Sequence, residues 1–412
     1  MPSLQPVRGT HDLLADEARR HRFIEDAAFH AASRYGFGEI VTPIFEFTEV
    51  FARTLGETSD VVTKEMYTFT DRSGDSITLR PEGTAGVARA FVSGGLAQSL
   101  PLKVFYRGPM FRHERPQKGR LRQFHQVGIE LLGVEGPLAD VEVIAVAWRM
   151  LSALGLADMV TLEINTLGDA DSRAAYRAAL IAYLSEFTGQ LSEDSRQRLE
   201  RNPLRVLDSK DEADKRIVAG APAMTASLTP AAREFFDQVG AGLTALGIPY
   251  THNPRLVRGL DYYCHTAFEF TTTRLGSQGT VLAGGRYDGL IAEMGGPATP
   301  GIGWAAGVER LAMLVEELPA PERPVAVVPM GDALVAFRVA EELRAAGLIV
   351  DVGFSGNVKK RMARANKANA RFAVILGEDE MSRGAAMLRD LDAGTQDEVP
   401  LSGLAERLLG RG

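Results

Sequence analysis

The chain has 412 residues, 45% of them hydrophobic and 24% charged, with a formal net charge of -7. At about 150 residues per domain this length predicts two or three domains, and the composition excludes a fibrous, collagen-like or disordered chain. The lone cysteine, Cys264, excludes an intramolecular disulfide and no Cys/His pair has zinc-finger spacing, so a cytoplasmic protein with no membrane attachment and no structural metal is expected.

Residues 11–33 read as a polar, charged helix ended by turn residues around Gly36 and Gly38, and residues 39–43 as a short strand closed by Pro43. A second strand is predicted at 78–80, followed by Pro81-Glu82-Gly83-Thr84 as the turn into a small-residue helix over 85–97. Residues 137–154 carry proline in the first turn, early acids at Asp140 and Glu142, and Gly155 as a stop, which predicts a helix. The mixture over 1–167 suits an α+β core built on an antiparallel sheet.

From 168 to 250 the composition shifts to Ala, Arg, Glu and Leu at helical spacing, which reads as a mostly helical insertion, and strand-like sequence resumes over 251–318. The prolines of 319–324 mark a linker. Beyond it, 325–328, 333–346, 348–352, 358–370 and 372–376 alternate strand and helix, so the module 325–412 should hold a small parallel or mixed α/β sheet.

Four stretches could carry chemistry. Residues 105–133 form a predicted hairpin, and seven Lys/Arg stand against the single acid Glu114 between Lys103 and His125. Period-2 alternation places Val127, Ile129 and Leu131 on one face and Gln126, Gly128 and Glu130 on the other, with Gly128 leaving a slot between two polar side chains. Arg112 would fork onto a phosphate while Gln126 and Glu130 face a small polar ligand; a solvated basic hairpin is the alternative. In the second stretch, 256–270 followed by 283–289, the paired glycines Gly284 and Gly285 would let backbone approach a ligand, and Tyr262 and Tyr263 offer hydroxyls. Cys264 beside His265 is a poor nucleophile pair, since neighbouring strand residues point to opposite faces.

The third stretch, 301–311, has the wrong glycine spacing for a dinucleotide loop and reads as a glycine-rich strand entering a helix that projects Arg310; no P-loop lysine exists. In the fourth, six Lys/Arg lie between 359 and 371 without an acid, and Lys360, Arg364, Lys367 and Arg371 fall at helical spacing as one basic stripe.

In this order the stretches resemble the class II aminoacyl-tRNA synthetases and, among them, the bacterial histidyl-tRNA synthetase family. Phe111-Arg112-His113-Glu114 with its following loop and strand looks like motif 2, residues 301–311 like motif 3, and residues 38–43 like motif 1, the usual dimer element. Residues 256–263 and 284–289 look like the two histidine-specific signatures, and 79–84 and 206–210 resemble further family segments. The resemblance implies a histidine–tRNA ligase that makes histidyl-adenylate from L-histidine and ATP with Mg²⁺ and passes histidine to tRNA(His), acting as a homodimer.

By the same resemblance Arg258 and Arg112 are catalytic at the α-phosphate. Arg310 and Arg120 hold the outer phosphates, Phe124 stacks on adenine, and Glu114 belongs to the ATP site. Glu82, Thr84 and Gln126 take the α-amine, Glu130 and Tyr263 face the imidazole, and Gly83, Tyr262 and Tyr287 also belong to the histidine site. Arg115 and Gln117 meet the tRNA acceptor end, and the basic stripe meets the anticodon arm. Cys264 and His265 depart from the family's usual asparagine and arginine. Two alternatives keep the fold without the reaction: a catalytically silent regulatory paralogue of ATP phosphoribosyltransferase, and a non-enzymatic RNA-binding protein. Arg258 and the intact β-α-β-α-β module count against the first, and the full set of Arg112, Arg258 and Arg310 counts against the second.

Overall fold

The computed structural model describes residues 3–55, 61–209, 211–257, 262–276 and 279–410. The chain divides into two compact units, Met1–Leu318 and Pro319–Gly412.

In the first unit, α1 (Asp16–Ser33) buries Ile24, Ala28, Ala31 and Ala32. It starts later than residue 11 because Ala15 holds φ at +46°, a left-handed conformation that a right-handed helix cannot run through. β1 is only Gly38–Glu39, parallel to the hairpin strand; after the Ile40 N–H donates to the Phe105 carbonyl the chain leaves the sheet. β2 (Phe45–Phe47), α2 (Thr48–Leu55), β3 (Tyr67–Thr70) and β4 (Ser76–Leu79) follow, the three strands forming a small separate sheet. α3 (Thr84–Ser93) ends before residue 97, where Gly94 and the left-handed Gly95 stop it.

β5 (Leu102–Phe111) and β6 (Gln123–Leu132) form an antiparallel hairpin in unbroken register from Leu102↔Leu132 to Phe111↔Gln123. α4 (Pro137–Ala153) crosses beneath it, apolar on most sides and correspondingly buried. β7 (Thr161–Thr166) precedes the helices α5 (Ala170–Ser185), α6 (Glu193–Arg201), α7 (Glu212–Val218) and α8 (Pro230–Ala245). The first three close around their own core of Tyr176, Leu180, Leu184, Val206 and Ile217. α8 instead sends Val239 and Leu243 into the main core, so it belongs to the catalytic layer rather than to the inserted one.

β8 (Thr251–His252), β9 (Cys264–Thr271), β10 (Thr280–Arg286), α9 (Leu290–Glu293), β11 (Gly301–Gly307) and α10 (Val308–Ala312) complete the unit. The eight-stranded sheet runs β1-β5-β6-β11-β10-β9-β7-β8, antiparallel except at its two edges. That order brings β6, β11 and β10 side by side at its centre.

The second unit holds β12 (Val325–Pro329), α11 (Ala333–Ala345), β13 (Val350–Val352), α12 (Val358–Lys367), β14 (Phe372–Leu376), α13 (Glu378–Ser382), β15 (Ala385–Asp390), β16 (Gln396–Pro400) and α14 (Leu404–Leu409). β13, β12 and β14 are parallel and β15 and β16 antiparallel, a mixed sheet with its own apolar core. The basic stripe is shorter than expected. Asn369 at φ +52° closes the helix, so Lys360, Arg364 and Lys367 share an exposed face while Arg371 directly precedes β14 and pairs with Asp392 at 2.6 Å. Asp351, from β13, also contacts Arg364 at 3.3 Å.

Candidate active site

Alternation along β6 decides the cavity. Val127, Ile129 and Leu131 enter the main core, and Gln126 and Glu130 line a cleft on the opposite face. Gly128 does sit between them, but the slot is filled: a Cβ there would run into the Tyr106 ring and stand 2.7 Å from the Trp304 carbonyl oxygen. Tyr106 is therefore a buried support behind the cleft, packed against Gly128 and Gly83, that sequence reasoning missed. The available signal was its register, since Tyr106 lies directly opposite Gly128 in the hairpin.

One end of the cleft is rich in acceptors and hydroxyls. Glu130, 1% exposed, accepts from the Thr84 hydroxyl at 2.7 Å and from the Tyr287 hydroxyl. Burial outweighs both donors and pushes its carboxyl up to about 8. The Glu82 carboxylate accepts from the Thr84 and Ala85 N–H groups at 2.6 and 2.8 Å, holding the start of α3, and burial raises its pKa too. The adjoining Gly83 is required because a Cβ would collide with Tyr106. Tyr262 and Tyr263 pack ring to ring at 4.5 Å, with Tyr287 5.8 Å from Tyr262. Burial lifts the Tyr106, Tyr262 and Tyr287 hydroxyls well above their usual range, so they stay protonated donors. Gln126 Oε1 is buried with no hydrogen-bond partner among the described residues.

The other end is cationic. Arg112 lies just past the end of β5, where its Nε donates to the Pro81 carbonyl at 2.9 Å and its guanidinium sits 5.3 Å from the Phe124 ring centre. Arg120 bonds Glu114 at 2.9 Å, and Arg310, on α10, donates to the Thr280 carbonyl at 2.7 Å and the Gly119 carbonyl at 3.3 Å. Burial lowers the Arg310 pKa and repulsion from Arg120 adds to it, the signature of a cation group gathered for an anion. All three arginines, Glu114 and Phe124 line the cleft that holds Glu82, Thr84, Gln126, Glu130, Tyr262, Tyr263 and Tyr287.

The remaining expectations fall differently. Arg115 and Gln117 are exposed on the hairpin loop, whose tip is pinned by two backbone bonds between Gln117 and Arg120, and neither lines the cleft. Arg258 lies within 258–261, outside the described residues. Gly284 and Gly285 make room for sheet neighbours and for the Tyr263 ring rather than for a ligand. Arg286, between those glycines and Tyr287, is fully buried against Asp140 and fixes β10 to α4. Cys264 is buried, its thiol pushed up to about 12 by burial, while His265 stacks on Phe235 at 4.5 Å. They form no nucleophile pair.

A cleft with acceptors and neutral hydroxyls at one end and converging arginines at the other suits a ligand that joins an amine-bearing polar group to phosphates. Residues 9–311 match the family described as histidyl-tRNA synthetase. The chain belongs to the histidyl-tRNA synthetase family. Residues 324–411 match an anticodon binding domain. A histidine–tRNA ligase of Rhodospirillum rubrum is 65% identical over 99% of both chains, and one of Gluconobacter oxydans is 57% identical over 100% of both. Apo histidyl-tRNA synthetase of S. aureus superposes with a TM-score of 0.84 at 35% identity, covering 98% of this chain and 99% of that one. An ATP phosphoribosyltransferase regulatory subunit/histidyl-tRNA synthetase from Bacillus halodurans, at 22% identity and TM-score 0.65, shares the fold alone; 88% of this chain and 97% of that one are covered.

Proposed function

We propose that this cleft ligates histidine to tRNA(His) in two steps. A carboxylate oxygen of histidine attacks the α-phosphorus of ATP, the bond to the β-phosphate oxygen breaks, and pyrophosphate leaves. A hydroxyl of the terminal tRNA ribose then attacks the histidyl carbonyl carbon and AMP leaves. The first step brings two anions together, so positive charge fixed in advance lowers its barrier. Arg112 is set for the α-phosphate and carboxylate, Arg120 and Arg310 for the outer phosphates, and Arg258 for the α-phosphate by family resemblance. Phe124, which lines the cleft, would offer adenine a ring to stack on. Glu114, which lines the cleft among the arginines, would be the carboxylate to hold the Mg²⁺ that accompanies ATP, and that ion would neutralise charge on the outer phosphates.

The buried, unpaired Gln126 Oε1 suits an ammonium donor, with Glu82 beside it, and Glu130 and Tyr263 suit the two imidazole nitrogens. Thr84 gives its hydroxyl to Glu130, so it serves the imidazole end by orienting that carboxyl group. Arg115 and Gln117 in the first unit, and the shortened face of Lys360, Arg364 and Lys367 in the second, are exposed and would suit tRNA phosphates. Val41, Phe45 and Phe47, more than half exposed around motif 1, form an apolar surface suited to a second copy of the chain. A cytoplasmic location fits this substrate set.

The observation that carries this reading is the single cleft with acceptors at one end and three arginines at the other. Arg112, Arg120 and Arg310 all line this cleft, and the full-length likeness to ligases includes the anticodon module, so the regulatory reading has no separate support. Charging of bulk tRNA with labelled amino acids, one at a time, tests it: histidine alone should be attached. Attachment of a different amino acid, or of none, would refute it.

A further inference from the structure

We propose that His21, His125 and Glu309 bind one divalent first-row transition-metal ion, of which Zn²⁺ is the best match, in the wall beside the phosphate end of the cleft. The residues come from α1, β6 and α10, three elements distant in sequence, and one donor atom of each lies within 4.8 Å of the others. His125 Nδ1 and Glu309 Oε1 are 2.9 Å apart, and the His125 N–H donates to both carboxylate oxygens at 2.9 and 3.0 Å. Glu309 is thereby aimed before any ion arrives. The His21 ring meets the His125 ring edge-on at 5.3 Å.

The cluster differs from an ordinary buried ion pair in its third member. His21 is 8% exposed, and its Nδ1 is buried with no hydrogen-bond partner among the described residues. A buried imidazole nitrogen without a partner carries a desolvation cost that a ligated ion would remove. Tetrahedral Zn²⁺ with bonds of roughly 2.0–2.1 Å sets its ligand atoms about 3.3 Å apart, within the 2.9 to 4.8 Å spanned here. Two imidazoles and one carboxylate favour zinc, cobalt or nickel over the oxygen-seeking Mg²⁺ and Ca²⁺. Three protein ligands leave a fourth position, and the adjoining groove between α1 and the hairpin loop, lined by His21 and Glu309, gives water access to it.

The consequence reaches the catalytic cleft. Glu309 directly precedes Arg310 on α10 and lines both the cleft and the groove. An ion held here would tie α1 to α10 and fix the backbone that carries Arg310. It is distinct from the Mg²⁺ that accompanies ATP, both in ligands and in needing no nucleotide.

The test uses the full-length protein, stripped of metal by chelation and titrated with Co²⁺ and then Zn²⁺ in the absence of ATP. The expected result is one ion per chain, a four-coordinate Co²⁺ absorption spectrum displaced by Zn²⁺, and a Zn²⁺-dependent rise in melting temperature that Mg²⁺ does not give. His21→Gln, a residue outside the catalytic cleft, should weaken binding at least about tenfold and abolish the melting shift. Absence of stoichiometric Co²⁺ binding by the wild type overturns the proposal without reference to any variant. Wild-type affinity in His21→Gln overturns it equally, leaving His125 and Glu309 as a structural pair.

Discussion

Glu130 accepts from two hydroxyls and still titrates near 8, because burial at 1% exposure outweighs them. Between the ordinary 4.5 and about 8 the folded protein keeps a proton there that the unfolded chain has released, so this group withdraws stability as pH rises through that window. Glu130→Gln removes the titration. Urea unfolding at about pH 5 and about pH 8 should show the wild type losing up to a few kcal/mol relative to the variant between the two. An equal change in both proteins would contradict a proton on Glu130. Gly128→Ala would push a methyl into Tyr106 and toward the Trp304 carbonyl, so it should cost about 1–3 kcal/mol in a melt and, by shifting the strand that carries Gln126 and Glu130, roughly a hundredfold in kcat/KM for histidine. Gln126 and Glu130 were legible in the sequence because alternation along one strand assigns faces. Tyr106 was not, because its role depends on which residue of a second strand stands opposite.

At the scale of elements, the inserted helices are organised by a carboxylate that no pattern marks. Asp214, fully buried, accepts from the Ser192, Ser195 and Ser209 hydroxyls at 2.6 to 2.7 Å and from the Ser192 N–H at 2.8 Å. Although burial alone would raise it, those bonds hold its carboxyl down at about 2. Asp214→Ala strands four donors and should destabilise this subdomain by about 1–3 kcal/mol, read as faster amide exchange in α6 and α7 with α4 and the main sheet unaffected. Uniform change across the chain would contradict an autonomous inserted core. Helix existence was legible throughout from periodicity and glycine stops. Helix ends were not, since Ala15 and Asn369 adopt positive φ values that their identities do not announce. The basic stripe is shorter than its spacing predicts for the same reason, and because Asp351 on β13, Asp390 on β15 and Asp392 in the turn that follows reach it.

For the molecule as a whole, each unit has its own apolar core, so the first should survive without the second. A fragment ending at Leu318 should retain amino-acid activation within a few-fold while losing about tenfold or more in tRNA charging, as phosphate contacts are removed; equal loss of both activities would contradict that division. Net charge was the least informative global property, because the positive residues gather where phosphates are expected while acids spread elsewhere. The central claim is that one cleft activates histidine with ATP, and its most direct test is exchange of labelled pyrophosphate into ATP by the full-length protein. Exchange that requires histidine and is not supported by amino acids lacking an imidazole is the predicted result; absence of exchange with histidine, ATP and Mg²⁺ all present would contradict it.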